Sequence, residues 1–145
     1  MGTGKIASGT IRRVPRLLVL DDDDACRRAG VRWFARAHFD VVGAASVPEA
    51  LMALETRRFD ALVSDMWLGD TSAAELLRAL AERGIPLPPM VCISGDGDAA
   101  RNPAWTFVAP THRPLRFFDK PADFARVQVV LEAFVDRGPR RADTG

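Results

Sequence analysis

Four short apolar runs in this 145-residue chain each end on residues able to handle a phosphate or a cation. Leu17-Leu18-Val19-Leu20 runs into four consecutive carboxylates, Asp21 to Asp24, and Ala61-Leu62-Val63-Ser64 ends on Asp65. Val91-Cys92-Ile93 ends on Ser94-Gly95, and Phe117-Phe118-Asp119 on Lys120-Pro121. Carboxylates, a hydroxyl and one ammonium are the groups that would hold a divalent cation beside a phosphorylatable aspartate. Carboxylates brought close repel one another, and a hard cation with oxygen ligands relieves that repulsion. Mg2+ suits a site with few protein carboxylates that keeps waters and takes phosphate oxygens. Each motif alone has a plainer reading. The Asp run can be a solvated loop and helix cap, Asp65 a strand end and Ser94-Gly95 a turn. Lys120-Pro121 can be a helix start with Pro121 at its first position. Together, in this order and at these intervals, they point to one site.

Five strands are expected to position these groups, near 16–21, 40–45, 60–65, 89–94 and 115–119, with helices near 24–37, 47–57, 72–83 and 121–136. Asp23 or Asp24 can cap the first helix, where Val31, Phe34 and Ala35 recur at helical spacing. Gly30 in its middle costs about 1 kcal/mol against alanine. Ser46 and Glu49 form a capping box for the second helix, with Pro48 in its first turn. Thr71 or Ser72 opens the third, which carries Leu76, Leu77 and Leu80 and is closed by Gly84. Phe124, Val127, Val130, Leu131 and Phe134 share one side of the last. Strands alternating with helices imply a parallel sheet covered on both faces, with every strand's carboxyl end on one edge. Asp21, Asp22, Asp65, Ser94 and Lys120 all belong to that edge, where such sheets bind ligands. Between Gly95 and Phe117 the alternation breaks, because Pro103, Pro110 and Pro114 interrupt the stretch. At most one or two turns, near Asp98 to Trp105, can be helical there.

The chain resembles a response-regulator receiver domain, the phospho-acceptor module of two-component signalling, over about residues 15–137. Leu17 to Asp22 is similar to the family's opening strand and acidic pair, and Asp65 stands at its phospho-acceptor position. Ser94 matches its hydroxyl position, Lys120-Pro121 its lysine-proline, and Phe117 its switch aromatic. The resemblance implies a flavodoxin-like, doubly wound α/β fold with five parallel strands in the order 2-1-3-4-5, helices on both faces and an irregular fourth helix. It also implies that Asp65 takes a phosphoryl group from a sensor histidine kinase or phosphotransfer protein. Mg2+ would be held by Asp21, Asp22, Asp65 and the Trp67 backbone carbonyl, while Lys120 and Ser94 bind the phosphoryl oxygens. Movement of Ser94 and Phe117 would couple phosphorylation to a protein-binding face.

Some residues depart from the family pattern. Gly69 stands where proline is common and Ser72-Ala73 where an acidic-glycine turn is usual, so the loop after Asp65 is expected to be looser. Trp67 is bulky where a hydrolytic water would approach. The proline-broken segment 96–116 is expected to remodel the signalling surface, so the family's standard dimer is not assumed.

The rest of the chain sets boundaries on function. Residues 1–14 are expected to form a flexible arm and 138–145 a flexible tail, flanking one domain. Twenty Lys and Arg against nineteen Asp and Glu, net +1, give no general attraction to nucleic acid. With no apolar run in Met1 to Thr10 and no segment of membrane-spanning length, the chain reads as cytoplasmic. Cys26 and Cys92 read as small buried hydrophobes in a reducing compartment. His38 and His112 lack a paired nucleophile, and Gly95 to Asp98 lacks the EF-hand ligand series. The leading reading is a stand-alone receiver acting as a signalling module rather than an enzyme, with a homodimer left open. A pseudo-receiver that signals by constitutive protein binding is one alternative. The other is a haloacid-dehalogenase-like phosphatase using Asp21, Asp23, Ser94 and Lys120.

Overall fold

The computed structural model describes residues 13–95 and 115–137. Its elements run β1 (Arg16–Leu20), α1 (Asp24–Arg36), β2 (Asp40–Ala44), α2 (Val47–Thr56) and β3 (Ala61–Asp65). Two short strands follow, β4 (Trp67–Leu68) and β5 (Thr71–Ser72), then α3 (Ala73–Arg83), β6 (Met90–Ser94), β7 (Leu115–Asp119) and α4 (Phe124–Arg137). Five strands form one parallel sheet in the order β2-β1-β3-β6-β7, and β4 pairs with β5 in a separate antiparallel ribbon. Without that ribbon the order is the expected 2-1-3-4-5. The irregular fourth helix, the 96–116 surface, His112 and both tails lie wholly or largely outside the described residues.

Side-chain alternation along the strands divides the core in two. Leu18, Leu20, Leu62, Met90 and Cys92 point toward α2 and α3, meeting Leu51, Leu54, Leu76, Leu77 and Leu80. Leu17, Val19, Val63, Val91 and Ile93 point the other way, onto Phe34, Val127 and Leu131 of α1 and α4. The central strands β1, β3 and β6 are buried on both faces, which is why they are continuously apolar. Trp33 joins the two outer helices: its Nε1 donates to Gln128 Oε1 at 2.9 Å, and its ring lies 6.0 Å from Phe124.

The helix ends follow the local chemistry with instructive exceptions. Asp23 caps α1 by accepting the Cys26 N–H, and Gly84 closes α3 at φ 69°. Ser46 Oγ accepts the Glu49 N–H at 3.3 Å, but Glu49 Oε1 reaches the Ala45 N–H at 2.8 Å rather than Ser46 itself. Ser72 precedes α3 without a side-chain cap. The last helix starts at Phe124, not Pro121. Asp123 opens it, its carboxylate accepting the Ala125 N–H and its carbonyl the N–H groups of Arg126 and Val127. Lys120–Pro121 is instead a cis peptide between β7 and the helix.

Cys26 is exposed on α1 rather than buried, whereas Cys92 is buried. The loop after Asp65 is a tight hairpin rather than a loose one. Gly69 takes a left-handed φ of 70° at its turn, which a proline cannot adopt. At the opposite edge of the sheet the Arg13 guanidinium bonds both carboxylate oxygens of buried Asp60 at 3.2 Å.

Candidate functional site

The parallel order brings the ends of β1, β3, β6 and β7 to one edge. Backbone bonds fix these ends relative to one another. Asp21 N–H donates to Ala44 O at 3.1 Å, Met66 N–H to Ile93 O at 2.7 Å and Lys120 N–H to Ser94 O at 2.8 Å. Asp65 and Ser94 are thus the last residues of their strands, Asp21 and Asp22 follow β1 in the loop to α1, and Lys120 directly follows β7.

Asp21, Asp22 and Asp65 converge, each offering an oxygen within 4.8 Å of the others. Oxygens brought this near one another can turn toward a shared cation, whose bonds to them would be about 2.1 Å. Lys120 Nζ faces the same carboxylate, 2.9 Å from Asp65 Oδ1 and 3.0 Å from Oδ2. Its stem passes Gly95, where an added Cβ would lie 3.9 Å from Lys120 Cδ. The hairpin turn approaches from the other side, with the Gly69 Cβ position 3.9 Å from Asp22 Oδ2. Ser94 is buried at the end of β6, one strand from Asp65, and lies in register with Asp119 of β7.

The electrostatics are unbalanced. Among the described residues three carboxylates meet one ammonium, which leaves two negative charges uncompensated within the cluster. Asp21 registers this. Burial, with repulsion from Asp65 and Asp22, holds its pKa above the ordinary 3.8, against the lowering pull of the Asp23 N–H and Lys120. The hydrogen bond and charge of Asp65 push Lys120 upward despite partial burial, so it stays an ammonium. The donor set is all hard oxygen and its residual charge is −2, so the residues present fit Mg2+.

The four consecutive aspartates are sorted by their partners. Asp21 and Asp22 face the cluster. Asp23 Oδ1 is used by the Cys26 N–H at 2.9 Å, and Asp24 pairs with Arg27. Trp67 is 49% exposed on the hairpin, and Phe117 is half-buried against the core on the α2–α3 side. Arg27 was not among the sequence candidates, although its place three residues after Asp24 on a helix was a legible pairing signal.

Residues 17–128 match the family model described as the response regulator receiver domain. The chain belongs to the response-regulator receiver family. Solved receivers share its fold at low sequence identity. The receiver domain of Francisella response regulator 1452 is 22% identical with a TM-score of 0.72, covering 86% of this chain and 99% of that one. A CheY-like receiver domain from Methylobacillus flagellatus is 24% identical at TM-score 0.69, covering 84% and 99%. Chemotaxis regulator CheY4 of Vibrio cholerae is 19% identical at TM-score 0.71, again covering 84% and 99%. No curated protein matches the chain. The receiver fold is thus established, and among the described residues no helix is long and apolar enough to cross a membrane.

Proposed function

We propose that this receiver accepts a phosphoryl group on Asp65 from a phosphohistidine of a sensor histidine kinase or phosphotransfer protein, and signals through a changed protein-binding face. The observation that carries the reading is the cluster itself: among the described residues, three carboxylates and one ammonium at the sheet's carboxyl edge, with two negative charges left over. An Asp65 carboxylate oxygen attacks phosphorus. The new P–O bond forms as the P–N bond breaks, and the departing imidazole nitrogen takes up a proton from water. Lys120 holds the Asp65 carboxylate before transfer and the phosphoryl oxygens afterwards, with the Ser94 hydroxyl donating to one of them. Phosphoryl transfer through a loose transition state needs chiefly this positioning and charge neutralisation. Bound Mg2+, held by Asp21, Asp22, Asp65 and the Trp67 carbonyl, would neutralise further charge on those oxygens.

Signalling follows from the same contacts. The dianionic product draws Ser94 and Lys120 inward, and Phe117 turns into the space behind Ser94. Phe117 lies in register with Cys92, two residues before Ser94 on the adjacent strand, so the two are suitably placed to move together. The module acts in the cytoplasm on a protein partner rather than on nucleic acid. The phosphatase reading is disfavoured because the second aspartate it needs, Asp23, is committed to capping α1.

Incubation with acetyl phosphate and Mg2+ followed by intact-mass measurement tests the proposal. The wild-type protein should gain one phosphoryl group and Asp65→Asn none. Turnover lost on Asp21→Asn without a stable adduct would favour a phosphatase, and no adduct at all would favour constitutive binding.

A further inference from the structure

The acidic loop between β1 and α1 is gripped from outside by one side chain that does not enter the site. Arg27 Nη1 donates to the Asp21 carbonyl at 3.0 Å, and its Nη2 pairs with the Asp24 carboxylate. The side chain is only 18% exposed. Its stem lies over Gly43 of β2, where a Cβ would come within 3.4 Å of Arg27 Cδ and 3.5 Å of Cγ. The same Cβ would meet Val31 Cγ2 at 3.3 Å, so the Arg27 stem packs closely against the Gly43 backbone.

Other bonds position the same loop. Asp21 N–H is tied to Ala44 O, and Asp21 Oδ1 accepts the Asp23 N–H at 3.0 Å. Arg27 completes the set with two bonds from one planar group. Guanidinium geometry suits simultaneous contact with a carbonyl and a carboxylate in a way that an ammonium does not. Its charge also engages Asp24, keeping that carboxylate with α1 while Asp21 and Asp22 face the cluster.

We infer that Arg27 is a positioning residue for the cation site, fixing the Asp21 carbonyl and holding Asp24 aside so that Asp21 and Asp22 present their carboxylates together. The inference rests on the proposed Mg2+ site. Positioning and simple electrostatics predict opposite signs here. A nearby positive charge repels a cation, so deleting Arg27 should tighten Mg2+ binding if charge alone mattered. If positioning dominates, deletion should weaken it. Loss of a group that orients metal ligands typically costs about 10- to 100-fold in affinity, and the lower end applies to a contact made through the backbone.

The test is Mg2+ titration of the unphosphorylated protein by calorimetry, with thermal melts to verify folding. Arg27→Met keeps an unbranched stem over Gly43 without donors and should bind Mg2+ about tenfold more weakly. Arg27→Lys keeps the charge and one donor and should lose only about threefold, a partial rescue. Arg28→Ala removes an equal charge one residue away, from an exposed side chain, and should stay within about twofold of wild type because solvent screens it. Wild-type binding that is unchanged or tighter in Arg27→Met overturns the inference while leaving the functional reading intact. Failure of the wild-type protein to bind Mg2+ overturns both. Should Arg27→Met unfold, Arg27→Lys decides: affinity equal to wild type contradicts positioning.

Discussion

Lys120 Nζ sits almost symmetrically against the Asp65 carboxylate, 2.9 Å from one oxygen and 3.0 Å from the other. The carboxylate is 11% exposed and the lysine side chain 48%, so the ammonium screens Asp65 from one side while remaining wet itself. The contact spans β3 and β7, strands separated by β6. It therefore reports on the relative placement of three strand ends. It also places a cation beside the proposed acceptor, which would gain negative charge on phosphorylation.

Removing that ammonium should separate metal affinity from chemistry. Lys120→Met deletes a positive charge beside the carboxylates, so Mg2+ should bind more tightly. Phosphorylation by acetyl phosphate should nevertheless slow by about a hundredfold, the scale of losing one preorganised donor at a charge-developing centre. Calorimetry and time-resolved intact mass measure the two effects on one sample.

Asp21 gives a pH-dependent prediction. Its folded pKa is raised mainly by burial, so the folded protein binds this proton more tightly than the unfolded chain. Stability from this group is therefore full below 3.8 and declines as pH rises through the folded value. In chelator at pH 7, Asp21→Asn should melt at a higher temperature than wild type, and the difference should vanish near pH 3. Mg2+ should raise the wild-type melting temperature and raise that of Asp21→Asn far less, as scanning calorimetry would show.

Gly30 illustrates what packing adds to a sequence argument. By propensity it is a defect in α1, and the structure shows room to repair it. A Cβ there would meet Val19 Cγ1 at 3.6 Å and Phe124 Cζ at 3.8 Å, ordinary contact distances. Gly30→Ala should stabilise the domain by about 0.5–1 kcal/mol in urea titrations without altering Mg2+ affinity.

Much of the site was legible because apolar runs and chemically capable residues coincide. A continuous apolar strand buried on both faces must end somewhere, and here Asp21, Asp65, Ser94 and Lys120 mark the ends. Asp23, Ser46 and Gly84 likewise announced helix boundaries through capping chemistry. The hairpin at 67–72 was not legible, since two-residue strands carry no period and its pairing depends on Gly69 reaching a positive φ. At the start of α4, Pro121 suits a first helical turn by its type, yet Asp123 supplies the cap that sets the boundary. Cys26 is exposed because the buried face of α1 is narrow. Only Gly30 and Phe34 of α1 are buried, a stripe narrower than its apolar residues suggest.

Trp67 stands half-exposed two residues beyond Asp65, on the hairpin beside the cluster. We expect its indole to hinder water from reaching the acyl phosphate. Trp67→Asn should dephosphorylate faster, by about tenfold, equivalent to about 1.4 kcal/mol on the hydrolysis barrier. Loss of the phosphorylated mass with time measures the rate, and equal rates would remove Trp67 from the account.

The central claim is that Asp65 is the group modified, at a carboxylate cluster that also holds Mg2+. A crystal structure of the protein grown with Mg2+ and beryllofluoride tests it most directly. The account predicts beryllium bonded to an Asp65 carboxylate oxygen, Mg2+ against Asp21 and Asp22, and Lys120 turned onto a fluorine. Beryllofluoride on another residue, or an Asp65 carboxylate that stays bare and turned away from Asp22 and Lys120, would contradict it.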